Sequence, residues 1–228
     1  MRRNRILATR PQGHKVIGGF LLVACSLLLV VLLSGCAKKE IKNLDSAGKN
    51  MICFGDSLTF GYGASTGEDY PAALAKMLGT AVINAGIDGD TTVEGIRRFD
   101  SDVLQRNPLL VIIEFGGNDF LRKIPTNVTA SNIKEMARMA QEKGAMVALV
   151  DISAGLLMRE YRAAFYKAAQ ETGSIFVPGA FNGIITNPHL KSDFIHPNAN
   201  GYQVIAQRIY RVILPYLNQN KLLRKNQK

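Results

Sequence analysis

From residue 51 onward, short and almost continuously apolar runs alternate with longer segments of mixed polarity. Five of these runs are the right length for strands: residues 51–54, 81–84, 109–115, 146–150 and 174–177. They lack the alternation of apolar and polar positions that a half-exposed strand shows. Continuous apolar runs are typical of a parallel sheet that helices cover on both faces.

The segments between these runs have the apolar spacing of amphipathic helices. They cover residues 70–78, 91–106, 129–143, 158–172 and 201–217. Strands that alternate with helices predict an α/β fold, a three-layer α/β/α sandwich around a five-stranded parallel sheet, over residues 51–220. Ligands bind beyond the carboxyl ends of the strands in such sheets. A functional site should therefore draw on residues that directly follow several strands.

The first 35 residues have a different pattern. Residues 1–15 hold five basic residues and no acid, and the apolar run 16–33 follows them, as in a signal peptide. The run is also long enough for an uncleaved membrane anchor, and the pattern leaves that alternative open. Either interpretation places the domain outside the cytoplasmic membrane, because the stronger positive cluster stays inside.

A short motif ends the apolar run. Leu33-Ser34-Gly35-Cys36 resembles the lipobox of bacterial lipoproteins. The resemblance implies cleavage before Cys36, which makes residues 1–35 a lipoprotein signal peptide, and lipid attachment to Cys36. Residues 36–50 are then the lipidated cysteine and a polar tether. We expect an extracytoplasmic, membrane-anchored lipoprotein, at the outer membrane or facing the periplasm if the host has two membranes.

The formal net charge of +10 suggests an acidic partner such as nucleic acid, but its distribution does not. Residues 51–220 hold 15 basic and 16 acidic residues, a net charge of −1. The excess lies at the two ends, including a basic tail over residues 221–228. Because no basic stripe with interleaved aromatic residues marks the domain, no nucleic-acid partner is expected.

Four polar blocks stand where the predicted strands end or where the last helix begins. They are residues 54–59 with Ser57, 84–91 with Gly89, 114–119 with Asn118, and 192–198 with Asp193 and His196. Taken singly, each reads as a helix cap, a turn or a local hydrogen bond. Taken together, they supply the nucleophile, base, orienting acid and oxyanion donors that acyl transfer needs.

The same blocks carry a family resemblance over about 170 residues. Gly55-Asp56-Ser57-Leu58, Gly89, Gly116-Gly117-Asn118-Asp119 and Asp193-x-x-His196 resemble the four blocks of the GDSL, or SGNH, hydrolases. The surrounding sequence is most similar to the branch of bacterial extracytoplasmic arylesterases and thioesterase/lysophospholipase enzymes. The resemblance implies a flavodoxin-like fold and a serine ester hydrolase that acts on small-molecule or lipid esters.

The resemblance also implies a role for each residue. Ser57 is the expected nucleophile, His196 the general base and acid, and Asp193 the group that orients His196. The expected oxyanion donors are the backbone N–H groups of Ser57 and Gly89 and the side-chain amide of Asn118. No cofactor is expected. No catalytic metal is expected either, since the sequence lacks a cluster of His, Cys and carboxylate residues.

Two alternatives stay open at this point, and the sequence leaves the oligomeric state undetermined. One is an O-acetyl esterase that acts on envelope polysaccharide or peptidoglycan. The other is a lipoprotein that keeps the fold as a non-catalytic binding module. The apolar residues of segment 120–125, beyond Asn118, favour an acyl chain in the cleft over an acetyl group alone.

Overall fold

The computed structural model describes residues 40–154 and 158–226, so the predicted signal peptide and Cys36 lie outside the described residues. The described chain contains five strands: β1 (Asn50–Gly55), β2 (Val82–Gly86), β3 (Pro108–Glu114), β4 (Met146–Val150) and β5 (Ile175–Val177). They form one sheet in the order β2-β1-β3-β4-β5, and every neighbouring pair is parallel. This strand order is flavodoxin-like and confirms the predicted fold class.

The central strands are buried as their continuous apolar runs predict. All residues of β4 are buried, and so are all of β3 except Leu109. The edge strand β2 is only partly covered and has an exposed asparagine, Asn84, in its middle. Burial on both faces therefore removes the apolar–polar alternation only in the interior of the sheet.

Seven α-helices flank the strands in the described part of the chain. They are α1 (Ser57–Phe60), α2 (Tyr70–Leu78), α3 (Thr92–Asp102), α4 (Gly117–Leu121), α5 (Thr126–Glu142), α6 (Arg159–Thr172) and α7 (Ala199–Asn226), with short 3₁₀ helices at Leu104–Arg106 and Pro188–Leu190. Helix α2 packs on α7, while α5 packs on both α3 and α6. These two groups of helices form the outer layers of the sandwich.

The helix beginnings follow local capping chemistry. The Asp69 side chain accepts a hydrogen bond from the Ala72 backbone N–H at 2.8 Å, and Pro71 occupies the first turn of α2. Thr91 and Glu94 form a capping box at the start of α3. Each cap satisfies backbone N–H groups that have no partner within the helix. These caps fix where α2 and α3 start beyond the carboxyl ends of β1 and β2.

The segment interpreted as a tether differs from a free linker in its described part. Lys42 N–H donates to the Gly173 carbonyl at 3.0 Å, and the Asn43 side-chain amide donates to two further carbonyls of the domain. The Asn220 side-chain amide donates to the Leu44 and Ser46 carbonyls at 2.8 and 3.0 Å. Residues 42–46 are therefore bound to the domain, at the edge where β4 and β5 begin.

The last helix also extends beyond the predicted boundary. Helix α7 continues from Ala199 to Asn226, so the described part of the basic tail is its final turns. Pro215 lies inside it and removes one backbone hydrogen bond. No helix among residues 40–154 and 158–226 combines the length and the apolar character that crossing a membrane requires.

Candidate active site

Ser57 stands at the sharp turn between β1 and α1. The Asp56 carboxylate caps this helix by accepting the Leu58 backbone N–H at 3.0 Å, and Gly61 ends it in the left-handed region with φ of 97°. The end of β2 presses against the turn: a Cβ on Gly86 would lie 2.1 Å from the Phe60 nitrogen, so only glycine fits there. Ser57 is thus held rigidly beyond the carboxyl end of a central strand.

His196 and Asp193 lie on a loop just before α7. An antiparallel bridge between Lys191 and Pro197 closes this loop. His196 Nε2 lies 3.1 Å from Ser57 Oγ, and His196 Nδ1 lies 2.7 Å from Asp193 Oδ2. The loop therefore brings a serine, an imidazole and a carboxylate into one hydrogen-bonded series across 139 positions of sequence.

The Asp193 carboxylate also holds its own loop. Its Oδ1 accepts the backbone N–H groups of Ile195 and His196, each at 2.8 Å. Partial desolvation raises the pKa of Asp193, but the hydrogen bonds from the His196 side chain and from these N–H groups outweigh it and lower the pKa to about 2. Asp193 is therefore ionised at all ordinary pH values and can stabilise a protonated His196.

An aromatic ring restricts the imidazole from its other side. The Tyr62 and His196 ring centroids are 4.4 Å apart. The Tyr62 carbonyl in turn accepts the hydroxyl of the buried Tyr202 at 2.7 Å. The loop that follows α1 thus helps to fix the orientation of His196.

The two expected oxyanion donors outside Ser57 are placed differently. Asn118, in the first turn of α4, lines the same cavity as Ser57 and His196, and its side-chain nitrogen donates to the Asp90 carbonyl at 2.9 Å. Gly89 is left-handed with φ of 81°, and its carbonyl accepts Arg122 Nη2 at 2.8 Å. Gly89 and Asp193 are not among the residues that line this cavity.

The cavity beside Ser57 has a volume of about 180 Å³ and an apolar wall. Its hydrophobic lining residues are Leu58, Phe120, Leu121, Ile152, Ala154, Met158, Phe181, Ile185 and Ile195. Its polar lining residues are Asp56, Ser57, Asn118 and His196. The chemically reactive groups therefore face a compartment suited to a hydrocarbon chain.

Sequence reasoning missed Arg98, which joins the loops of the site. Arg98 Nη2 donates to the Gly55 carbonyl and Nη1 to the Ala85 carbonyl, both at 2.9 Å. Its Nε donates to the Asp90 carboxylate at 2.6 Å, and its guanidinium lies 4.2 Å above the Phe54 ring. One side chain thus fixes the ends of β1 and β2 and the loop whose Asp90 carbonyl accepts Asn118.

Sequence reasoning also assigned no role to Glu114, although its block was recognised. Glu114 ends the otherwise apolar β3, and its side chain is buried and accepts the Thr59 hydroxyl at 2.8 Å. A charged residue such as Glu114 is unusual at the end of a buried strand, and this was the feature of the sequence that indicated a special role for it. Among the described residues, no group of three or more His, Cys, Asp or Glu side chains is arranged to hold a metal ion.

Comparisons with known proteins agree with this geometry. The model of the GDSL-like Lipase/Acylhydrolase family matches residues 53–204. The chain is 27% identical to Esterase TesA of Pseudomonas aeruginosa over 82% of this chain and 98% of the relative. It is 30% identical to an arylesterase of Vibrio mimicus over 75% of this chain and 91% of the relative. The psychrotrophic esterase EstA from Pseudoalteromonas sp., solved in a form inhibited by monoethylphosphonate, is 27% identical with a TM-score of 0.66, covering 74% of this chain and 98% of that one.

Proposed function

The chain belongs to the GDSL-like lipase/acylhydrolase family and is a serine ester hydrolase, and we propose that it cleaves carboxylic esters or thioesters through an acyl-enzyme on Ser57. The observation that carries this proposal is the hydrogen-bonded series Ser57–His196–Asp193, of which Ser57 and His196 line an apolar cavity. The alternative of a non-catalytic binding module is not retained, because the relatives are esterases.

In the first half-reaction, Ser57 Oγ attacks the ester carbonyl carbon while His196 Nε2 takes the hydroxyl proton. An unaided serine hydroxyl is too weakly acidic to do this, whereas imidazole accepts a proton near neutral pH. Asp193 keeps His196 in the tautomer with the proton on Nδ1 and stabilises the imidazolium. His196 then gives the proton to the leaving alcohol or thiol, and the acyl group remains on Ser57.

The negative oxygen of the tetrahedral intermediate needs hydrogen-bond donors. We assign this role to the backbone N–H groups of Ser57 and Gly89 and to the side-chain amide of Asn118. One N–H of Asn118 Nδ2 donates to the Asp90 carbonyl, and the second N–H is available to donate to the oxyanion. In the second half-reaction, water attacks the acyl carbon with His196 as base, and Ser57 regains its proton.

The wall of the cavity favours an acyl chain over an acetyl group. The cavity has a volume of about 180 Å³, and most of the residues that line it are hydrophobic. An acetyl group would leave most of an apolar space unfilled, with no gain from burying hydrocarbon. This argues for aryl, thio- or lysophospholipid esters of longer acids rather than O-acetylated envelope polysaccharide or peptidoglycan.

A substrate panel tests this assignment. The full-length chain in detergent would be assayed on p-nitrophenyl esters from acetate to dodecanoate and on an acyl-CoA, with Ser57→Ala as control. We expect an optimum between six and twelve carbons, loss of turnover in Ser57→Ala, and phosphonate labelling of Ser57. An acetate-only optimum would support the O-acetyl esterase, and an unlabelled Ser57 without turnover would refute the mechanism.

We further propose that Cys36 is lipidated and anchors the enzyme to a membrane outside the cytoplasm. The support is the resemblance of residues 33–36 to a lipobox after a basic, then apolar, N-terminus. Cys36→Ala should abolish fatty-acid incorporation and leave an uncleaved precursor, while Cys25→Ala should be processed normally. Cleavage of the Cys36→Ala chain as in the wild type would contradict this proposal.

A further inference from the structure

Two carboxyl groups lie buried directly behind Ser57. Asp56 precedes it in the turn and is 1% exposed, and Glu114 at the end of the neighbouring strand β3 is 0% exposed. Glu114 pairs in register with Gly55, the residue before Asp56, and each of the two carboxyl groups influences the pKa of the other. The mechanism above uses neither of them, so their burial needs a separate explanation.

Glu114 contacts the Ser57 turn from both sides of the nucleophile. Its Oε2 accepts the Thr59 hydroxyl at 2.8 Å, and that hydroxyl oxygen lies 2.8 Å from the Tyr70 hydroxyl oxygen. The backbone N–H groups of Asp56 and Thr59 lower the pKa of its carboxyl group. These contacts fix the residues immediately before and two positions after Ser57.

Each carboxyl group nevertheless has one oxygen without a partner. Asp56 Oδ2 and Glu114 Oε1 are buried and accept no hydrogen bond in the described part of the molecule. None of the ion pairs between described residues includes either group. Two ionised carboxylates cannot remain in contact in a buried site without a compensating charge.

The titratable groups that face the pair supply no such charge. They are Cys53 on β1, Asp69 and Tyr70 at the start of α2, Asp119 on α4 and Tyr202 on α7. All of them are acids, and the nearby Arg98, which donates to the Gly55 carbonyl beside Asp56, is already paired with Asp90 and Asp102. A proton is the simplest group that satisfies both orphaned oxygens at once.

We propose that Asp56 and Glu114 share one proton in a carboxyl–carboxylate hydrogen bond, and that this pair is a positioning device that holds the Ser57 hydroxyl toward His196. The positioning role rests on the proposed function of Ser57. The shared proton rests only on the buried geometry of the two carboxyl groups.

The electrostatics of the site agree with one retained proton. Burial raises the pKa of Glu114 to about 7, although hydrogen bonds from Thr59 and Asp56 oppose it. Burial and repulsion from Glu114 raise the pKa of Asp56 well above its usual range, although the Leu58 N–H opposes this. Above about pH 7 Glu114 is therefore ionised, and the raised pKa of Asp56 favours retention of the remaining proton on Asp56. When a further rise in pH removes that proton, two neighbouring negative charges must separate and displace the Ser57 turn.

Amide substitutions distinguish a shared proton that positions Ser57 from a contact between Asp56 and Glu114 that only stabilises the fold. An amide N–H of Asp56→Asn can donate to Glu114 at every pH, and Glu114→Gln can donate to Asp56 in the same way. Both variants keep the shape of the site and lose the second negative charge. Glu142→Gln, an exposed residue at the far end of α5, is the matched control.

The full-length chain in detergent would be studied by infrared spectroscopy at pH 8 and by kcat on a p-nitrophenyl ester from pH 6 to 10. We expect a protonated-carboxyl band in the wild type and in Glu142→Gln that is lost in Asp56→Asn. We expect the wild-type kcat to fall on the alkaline side with KM unchanged. In both amide variants this fall should disappear relative to each variant's own kcat at pH 8, because neither holds a shared proton that a rise in pH can remove.

Three results would overturn the inference. A wild-type spectrum without the protonated-carboxyl band at pH 8 would exclude the shared proton. A flat wild-type kcat up to pH 10, or an unchanged alkaline fall in both amide variants, would exclude the positioning role. If the wild type shows the band but neither turnover nor phosphonate labelling of Ser57, then the proposed function fails while the shared proton stands.

Discussion

Asn118 donates its side-chain amide to the backbone carbonyl of Asp90, with 2.9 Å between nitrogen and oxygen. This bond crosses from the first turn of α4, after β3, to the loop after β2, which also contains Gly89. Arg98 holds the Asp90 carboxylate from the opposite side. The Asn118 amide is therefore oriented before any substrate binds, which is the condition for strong electrostatic catalysis.

Replacing Asn118 by Ala should lower kcat by about 10²–10³-fold with little change in KM, because one pre-oriented donor to the oxyanion is lost. The substitution leaves α4 intact, so the melting temperature should stay close to that of the wild type. Asn127→Ala, an exposed asparagine in the first turn of α5, is the control and should have no effect. Equal losses in the two variants would remove Asn118 from the oxyanion site.

Replacing Asp193 by Asn should lower kcat at pH 7 by about 10³-fold or more, because His196 loses the group that fixes its tautomer and balances its charge. The lowered pKa of Asp193 has a second effect. Its ionised form stabilises the fold above about pH 3.8, and this stabilisation is lost as the pH falls toward 2. Wild-type and Asp193→Asn unfolding temperatures should thus converge with acidification, whereas Asp45→Asn, an exposed acid near the opposite edge, should track the wild type throughout.

Ile185→Trp should shift the substrate preference toward shorter acids, because the larger side chain fills part of the apolar cavity. We expect kcat/KM on the octanoate ester to fall by roughly 10- to 100-fold, while kcat/KM on the acetate ester changes little. Leu222→Trp places the same side chain on the exposed surface of α7 and should leave both values unchanged. A uniform loss on all esters would mean that Ile185 does not contact the acyl chain.

Arg98→Lys should lower both stability and kcat, because lysine cannot donate at once to the Gly55 carbonyl, the Ala85 carbonyl and Asp90. Loss of charge-assisted hydrogen bonds at this largely buried site should destabilise the fold by about 1–3 kcal/mol. The neighbouring Arg97→Lys is exposed and serves as the control. Urea unfolding and kcat measured on both variants would test this, and similar behaviour of the two would show that Arg98 does not organise the loops.

Glu114→Gln should change how stability depends on pH. The raised pKa of Glu114 means that the folded protein binds a proton that the unfolded chain has released, between about pH 4.5 and 7. The wild-type free energy of unfolding should therefore decrease relative to that of Glu114→Gln across this window and then stay level. Urea titrations at half-unit pH steps, with Glu142→Gln as control, would reveal a constant difference if Glu114 titrates normally.

The hydrophobic pattern was sufficient to predict the sheet and the larger helices. The predicted bounds of β4 and α2 agree with the observed ones, because buried runs and capping residues mark their ends clearly. The pattern did not reveal α1 and α4. These helices are too short for a 3.6-residue period to appear, and their residues were interpreted only through their chemistry.

Other features depend on tertiary contacts that no local pattern encodes. Residues 42–46 lack an apolar period, yet hydrogen bonds to Gly173 and from Asn220 bind them to the domain. In the sequence, Arg98 looks like an ordinary polar residue of a surface helix. Only the structure shows that it donates to Gly55, Ala85 and Asp90 at once. The residues expected at the site could be named from motifs, but the groups that support them could not.

The hydrogen bonds from Asn220 to Leu44 and Ser46 have a further consequence. They bring the first and last described segments of the domain together at the edge of the sheet opposite Ser57. A short linker could therefore join these segments, and the chain could be opened elsewhere, for example at the exposed turn around Gly79. Such a circular permutant should retain the hydrolytic centre, because no residue of that centre lies where the two segments would be joined.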